Sequence, residues 1–407
     1  MNLYRVLPAL AALTLVLVGC SGPQPSFTLA DMPGDGLYAE LVTDKGSFLI
    51  QLEFEKAPLT VINFVSLAQG TRKTNRPGGI PFYDGLTFHR VDAEFVIQGG
   101  CPNGNGSGNA GYQFPDEFHP DLRHDAVGVV SMANAHWPDS NGSQFMILRS
   151  PAKHLDDLHS VFGKVAKGLE VASSIAANDR IYKVAIFRVG AAAEAFKTDQ
   201  NAFIAAQTVI IETRKKVEAQ KQAALTEKLL KEWPEAKVTE SGLIIKVDQL
   251  GAGEPPKDGD VVAVHAILKM SGEREFDNSY DRKLPHVFEL GKGKVIAGWD
   301  EGVHGMLPGE KRSLVVPPDL AYGAEGRKGL VLPYETIYLT VELVEINPPP
   351  EKYAPPKKRA QAPSEGPPPP PGDPAPVETP APPADTPTPA AKAPDPVPPT
   401  PPATTQP

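Results

Sequence analysis

The chain has 407 residues, 45 of them proline, with 22% charged and 7% aromatic side chains and a formal net charge of −9. The acidic balance argues against a nucleic-acid partner held through phosphate neutralisation. Two cysteines, Cys20 and Cys101, are too few for a disulfide scaffold or a cysteine-rich metal site.

Residues 1–19 read as a signal peptide: Arg5 precedes an apolar run from Leu7 to Val18. That run is shorter than the ~20 residues a bilayer-spanning helix needs. The words Leu17-Val18-Gly19-Cys20 resemble a bacterial lipobox. The resemblance implies that the Cys20 thiol is acylated and becomes the mature first residue. It also implies that Ser21, in place of Asp, directs the protein to the outer membrane, facing the periplasm. Cys101 is then left without a partner in the chain. Residues 20–35 form a short Pro/Gly/Ser-rich tether.

From 36 to 190, strand-like runs (Tyr38–Val42, Phe48–Leu52, Phe95–Gln98, Val127–Met132, Gln144–Leu148), Gly-rich loops and a helix near Leu59–Ala68 predict a mainly β domain. Residues 191–234 lose Gly and Pro and gain Ala, Lys, Gln and Glu. They predict a linker helix over about 199–232, capped by Thr198 or Asp199 and stopped before Pro234. Its length is roughly 50 Å. Phe196, Phe203, Ile210 and Val217 recur every seven residues. This stripe faces either the chain's own domains or a second copy, and it predicts a homodimer through the helix. From 235 to 347 a second β-rich pattern runs through Leu243–Val247, Val261–Leu268, Val287–Leu290, Arg312–Val316 and Thr336–Ile346. The last stretch, 348–407, has 25 prolines in 60 residues and almost no large apolar side chains, so it reads as a disordered tail.

The informative words of the first domain are Phe88-His89-Arg90, Phe95-Val96-Ile97-Gln98-Gly99-Gly100, Ser131-Met132-Ala133-Asn134-Ala135, Asn141-Gly142-Ser143-Gln144-Phe145 and His159-Ser160-Val161-Phe162-Gly163. They place an Arg, a Gln, an Asn and a His among apolar residues at strand ends and Gly-rich turns. No nucleophilic triad or phosphate loop emerges, and the histidines lack metal-ligand spacing. Such a set suits the binding and polarising of a neutral group. The five ordered words resemble the cyclophilin family of prolyl isomerases, which form a closed β-barrel. The resemblance implies that Arg90 is the catalytic arginine, that Phe95, Met132, Met146 and Leu155 line a proline pocket with His159 at its edge, and that Gln98, Ala133, Asn134, Ala135 and Gln144 hold the substrate backbone. Val96 stands where many members have Met, Met146 where many have Phe, and His154 where a Trp supports cyclosporin binding. Isomerase chemistry without tight cyclosporin binding is therefore expected.

In the second domain, Phe276-Asp277-Asn278-Ser279-Tyr280, Val295-Ile296-Ala297-Gly298-Trp299 and Pro318-Asp319-Leu320-Ala321-Tyr322-Gly323 resemble the FKBP family, an antiparallel sheet wrapped on a helix. The resemblance implies an apolar cup with Trp299 as floor, Phe276, Val295, Ile296 and Tyr322 as walls and Asp277 at the lip. Ala266, His286 and Leu339 replace aromatic residues of the family. The cup then either catalyses more weakly than the first site, binds chains, or is kept for packing. No cofactor is implied. The sequence as a whole reads as a lipid-anchored prolyl isomerase acting on the X–Pro bonds of exported polypeptides. The rival reading is a non-catalytic holdase or assembly scaffold, to which Arg90 would be dispensable.

Overall fold

The computed structural model describes residues 23–353, apart from Gly78, Gly272 and Glu273. Cys20, the signal peptide and the Pro-rich tail beyond Tyr353 lie outside the described residues.

The first domain is an eight-stranded antiparallel sheet: β1 (Gly36–Thr43), β2 (Gly46–Leu52), β3 (Arg90–Val91), β4 (Val96–Gly99), β5 (Val129–Met132), β6 (Phe145–Leu148), β7 (Val161–Lys167) and β8 (Ile181–Val189). Their order across the sheet is β3-β4-β6-β5-β7-β2-β1-β8. The two ends meet. Leu86 and Phe88, leading into β3, exchange backbone hydrogen bonds of 2.7–3.0 Å with Asn178, Asp179 and Ile181 at the start of β8, so the sheet curls shut as a barrel. The barrel is filled by buried rings, Phe48, Phe64, Phe88, Phe145 and Phe162 among them. The strands β7 and β8, absent from the sequence reading, supply one wall.

Helix α1 (Pro58–Ala68) closes one end, and α2 (Leu169–Ser174) packs beside β2 and β7. Pro58 opens α1 and the residue before it, Ala57, has no side chain to cap with. The free amides are met from far along the chain: buried Glu117 accepts from Leu59 N (3.1 Å), Thr60 N and Thr60 Oγ1 (both 2.8 Å). A carboxylate there answers both the unpaired N–H groups and the positive end of the helix dipole. The tether is also tied down, because Ser26 N and Oγ donate to the carboxylate of buried Glu40 on β1.

After α3 (Ala191–Ala195), α4 (Gln200–Glu232) runs without interruption. Asp199 caps it, accepting from Ala202 N at 2.9 Å. Its stripe is used within the chain. Phe203 is 3% exposed in the barrel's core cluster, with Phe196 and Ile210 packed on the same cluster. Toward the other end, Leu225, Leu229 and Trp233 pack on Ile244, Val315 and Tyr338 of the second domain. Of the residues expected to form a dimer seam, only Val217 stays exposed, at 42%. Of the two surfaces the stripe could face, the chain's own barrel takes Phe203 and, in part, Ile210.

The second domain comprises β9 (Lys237–Val238), β10 (Ile244–Gln249), β11 (Val261–Met270), β12 (Glu275–Asn278), β13 (His286–Glu289), β14 (Lys311–Val316), β15 (Ile337–Ile346) and α5 (Ala297–Val303). The sheet order is β12-β11-β15-β14-β10-β9, with β13 also paired to β11. Helix α5 lies on β14 and β15, and its Trp299 and Val303 enter the domain's core. The fold class is thus mainly β with few helices, two separate sheets joined by a long helix.

Candidate active sites

In the first domain, register decides what shares a face. Arg90 on β3 lies opposite Gln98 on β4, and Gln98 lies opposite Met146 on β6. Residues opposite one another in antiparallel strands project to the same side, so Arg90, Gln98 and Met146 form one row on the outer face. Their neighbours Ile97, Phe145 and Ile147 point into the barrel core. Beside the row sits a second apolar cluster in which Val96 and Met146 are buried and Phe95 and Leu155 are half-buried. Arg90 is exposed, its guanidinium carbon 5.9 Å from the Phe95 ring centroid. His154 stacks on Phe95 at 5.6 Å and stands at the pocket edge.

Met132 departs from the expectation. Its side chain is fully buried in the barrel core, facing away from this cluster. Phe145, opposite it on β6, is also in that core. What Met132 gives the site is its carbonyl, 3.0 Å from His159 Nδ1. A carbonyl can only accept, so Nδ1 carries the proton and Nε2 is left free. Burial holds the His159 pKa below the ordinary imidazole value.

Next to the row is a cavity of about 250 Å³ lined by Gln98, Ala133, Asn134, Ala135 and Gln144, among others. Gln98 Nε2 donates to Gln144 Oε1 at 2.8 Å, and Gln144 Nε2 donates to the carbonyls of Gly106 and Gly108, both at 2.8 Å. Asn134 Nδ2 donates to Leu158 O at 2.9 Å. The glutamine pair is therefore oriented by the loop after Cys101, whose glycines carried no sequence signal of that role. Gly100 has φ +83°, and a Cβ there would strike the Ser143 carbonyl. Glycine is needed for β4 to end this close to the Ser143-Gln144 segment that leads into β6.

The second site is a cavity of about 290 Å³ whose lining includes Phe276, Asp277, Val295, Ile296, Trp299 and Tyr322, the six residues expected there. Trp299 is 4% exposed, with His286 edge-on at 5.0 Å and Phe288 at 5.8 Å. Ala266 and Leu339 are core residues, and aliphatic Leu268 and Leu330 enclose the cup instead. Asp277 is gripped by the Arg282 guanidinium and lies 3.0 Å from His286 Nε2. Burial opposes its charge, but the Arg282 hydrogen bond, with His286 and the Arg282 charge beside it, holds the carboxyl below its usual range. Arg282 was missed in the sequence, although a basic residue five positions after Asp277 was the available signal. Among the described residues no group of histidine, cysteine and acidic side chains could hold a metal ion.

Residues 38–190 match the model of the cyclophilin type peptidyl-prolyl cis-trans isomerase family, and residues 252–344 that of FKBP-type peptidyl-prolyl cis-trans isomerases. The molecule is an isomerase of peptidyl-prolyl bonds. Peptidyl-prolyl cis-trans isomerase A of Mycobacterium tuberculosis is 50% identical over 132 residues, 31% of this chain and 72% of that protein. Isomerase B of Streptomyces anulatus is 46% identical over 148 residues, 35% and 84% of the respective chains. The isomerase-like 1 protein of Rhizopus delemar is 41% identical over 152 residues, 35% and 86%. The chain belongs to the cyclophilin-type family of peptidyl-prolyl cis-trans isomerases, and it carries an FKBP-type domain as well.

Proposed function

We propose that the first site is the main catalyst and that it works without covalent attack. The peptide C–N bond resists rotation because the nitrogen lone pair is delocalised, giving a barrier of ~18–20 kcal/mol. A guanidinium directed at the prolyl nitrogen localises that lone pair. Phe95, Val96, Met146 and Leu155 enclose the proline ring, while Gln98, Asn134 and their neighbours hold one flank of the chain as the other turns. Each ~1.4 kcal/mol removed from the barrier is a tenfold gain in rate, so a few such contacts suffice. The observation that carries this reading is the row Arg90–Gln98–Met146 set beside the Phe95 and Leu155 cluster.

The second cup acts by desolvation, favouring the less polar twisted amide, and is the weaker catalyst. The clients are exported polypeptides with X–Pro bonds, met at the periplasmic face of a membrane to which an acylated Cys20 anchors the enzyme. The lipobox-like sequence supports that placement.

The test is isomerisation of an X–Pro peptide by the soluble chain from Ser21, beside Arg90→Ala and Trp299→Ala. Arg90→Ala lowers kcat/KM by about ten-fold or more, equivalent to ~1.4 kcal/mol, with the barrel's near-ultraviolet circular dichroism unchanged. Unaltered turnover in the folded variant removes Arg90 from the mechanism. Trp299→Ala removes a smaller remainder.

A further inference from the structure

We infer that the linker helix completes the first isomerase site, with Arg214 of α4 as a positioning residue for the loop that carries Asn134 and Ala135. The inference rests on the first site being the catalyst proposed above.

The loop between β5 and β6 is held in an unfavourable shape. His136 and Asp139, neither of them glycine, have φ of 57° and 60°. Such conformations persist only where surrounding contacts over-determine them. Asp139 N donates to Asp116 Oδ2 at 2.8 Å, Asp116 N donates to Asp139 Oδ1 at 2.7 Å, and Asn141 Nδ2 donates to Asp116 Oδ1 at 2.6 Å. This reciprocal clasp fixes the loop but brings two carboxylates together, one of them, Asp116, only 4% exposed. Two like charges in a half-buried place need a cation.

Arg214 provides it. Its Nη1 donates to Asp139 Oδ1 at 2.6 Å, and its Nη2 donates to the Asp116 carbonyl. The next residue in the loop, Ser140, passes the constraint to the site. Ser140 Oγ accepts from Ala135 N at 3.0 Å and donates to Trp137 O at 2.5 Å. Asn134 Oδ1 in turn accepts from His136 N at 3.1 Å. Ala135, Asn134 and Ser140 all line the cavity beside Gln98.

Arg214 is outside the stretch that matches the cyclophilin-type model, which ends at residue 190. It is held in place because α4 is anchored eleven residues earlier by Phe203, buried in the barrel core. The same Arg214 lines a cleft of about 460 Å³ with Trp137 and Pro138 of the barrel and Tyr334 of the second domain. A residue borrowed from the linker thus sets the geometry of a loop in the first site.

The experiment measures kcat and KM for an X–Pro peptide in the soluble chain from Ser21, with Arg214→Ala, Arg214→Lys and Arg90→Ala, alongside thermal melting of each. Arg214→Ala raises KM by about five-fold with kcat within about two-fold of the parent, because substrate holding is loosened while Arg90 is untouched. Arg214→Lys, which keeps the charge but not the two-armed grip, recovers part of the loss. An unchanged KM in Arg214→Ala overturns the inference. So does a loss of activity that tracks a loss of folded protein and is not recovered by Arg214→Lys. If Arg90→Ala is fully active, the failure lies instead in the underlying reading of the catalyst.

Discussion

His124 is fully buried, with Nδ1 2.9 Å from Asp156 Oδ1 and no partner for Nε2. Burial lowers its pKa more than the Asp156 carboxylate restores it, and the same carboxylate is held in its charged form by the His124 backbone and ring. The imidazole is therefore neutral and donates from Nδ1. Unfolded, it titrates near the ordinary value of ~6.5. A depressed imidazole makes the unfolded state bind more protons as pH falls below that value, so the stability it contributes is present at pH 7 and is lost on acidification. His159 acts in the same direction. The melting temperature of the barrel is expected to drop as the pH falls below about 6.5, each such group contributing at most ~1.4 kcal/mol per pH unit. His124→Asn, which keeps a donor toward Asp156, flattens that dependence. An equal slope in the variant assigns the acid lability elsewhere. At this scale the sequence brings together residues that sit in dense words: Arg90 pairs across the strands with Gln98, and Gln98 is bonded to Gln144. It misled at Met132, because a motif does not say which face of a strand each of its letters occupies, and β5 turns that side chain into the core.

Among the elements, α4 carries most of what could not be foreseen. Its limits were legible from Asp199, Pro234 and the change of composition between them. Its role was not, since a seven-residue apolar stripe looks the same whether the covering surface is its own chain or another. The covering surface here is assembled from Tyr112, Phe114 and α1, far apart in sequence, with the Arg72 guanidinium over the Phe203 ring at 3.3 Å. Phe203→Ala is expected to cost the barrel about 3–5 kcal/mol, as for other buried aromatic truncations, and calorimetry would show the barrel's transition moved down. A shift of the second domain's transition instead would mean that α4 is docked differently. The cap of α1 by Glu117 belongs to the same class: no local signal announces a capping residue fifty-eight positions away.

For the molecule as a whole, two unrelated isomerase folds on one chain were visible in the sequence, because each has several ordered words. How the two meet was not, since Arg214, Trp137 and Tyr334 have no motif and come together only through tertiary packing. The membrane placement is tested in cells. On the proposed anchoring, Cys20→Ser moves the protein from the membrane fraction to the soluble fraction of a bacterial envelope extract, because stable attachment takes more than one acyl chain and the variant would carry none at this position. Retention in the membrane fraction would put the anchor elsewhere.

The unbroken run of α4 also works as a gear shaft. Phe203 is keyed into one core and Leu229 into another. Each residue advances the helix by about 100° and 1.5 Å. Inserting a single residue between Ile210 and Leu225 would wind one key a quarter-turn or more past the other, so that barrel and second sheet could no longer both stay seated on it. Inserting seven would bring the keys almost back into phase at ~10 Å greater separation. The spacing along this stretch is therefore constrained in whole turns, even where its individual exposed residues touch nothing.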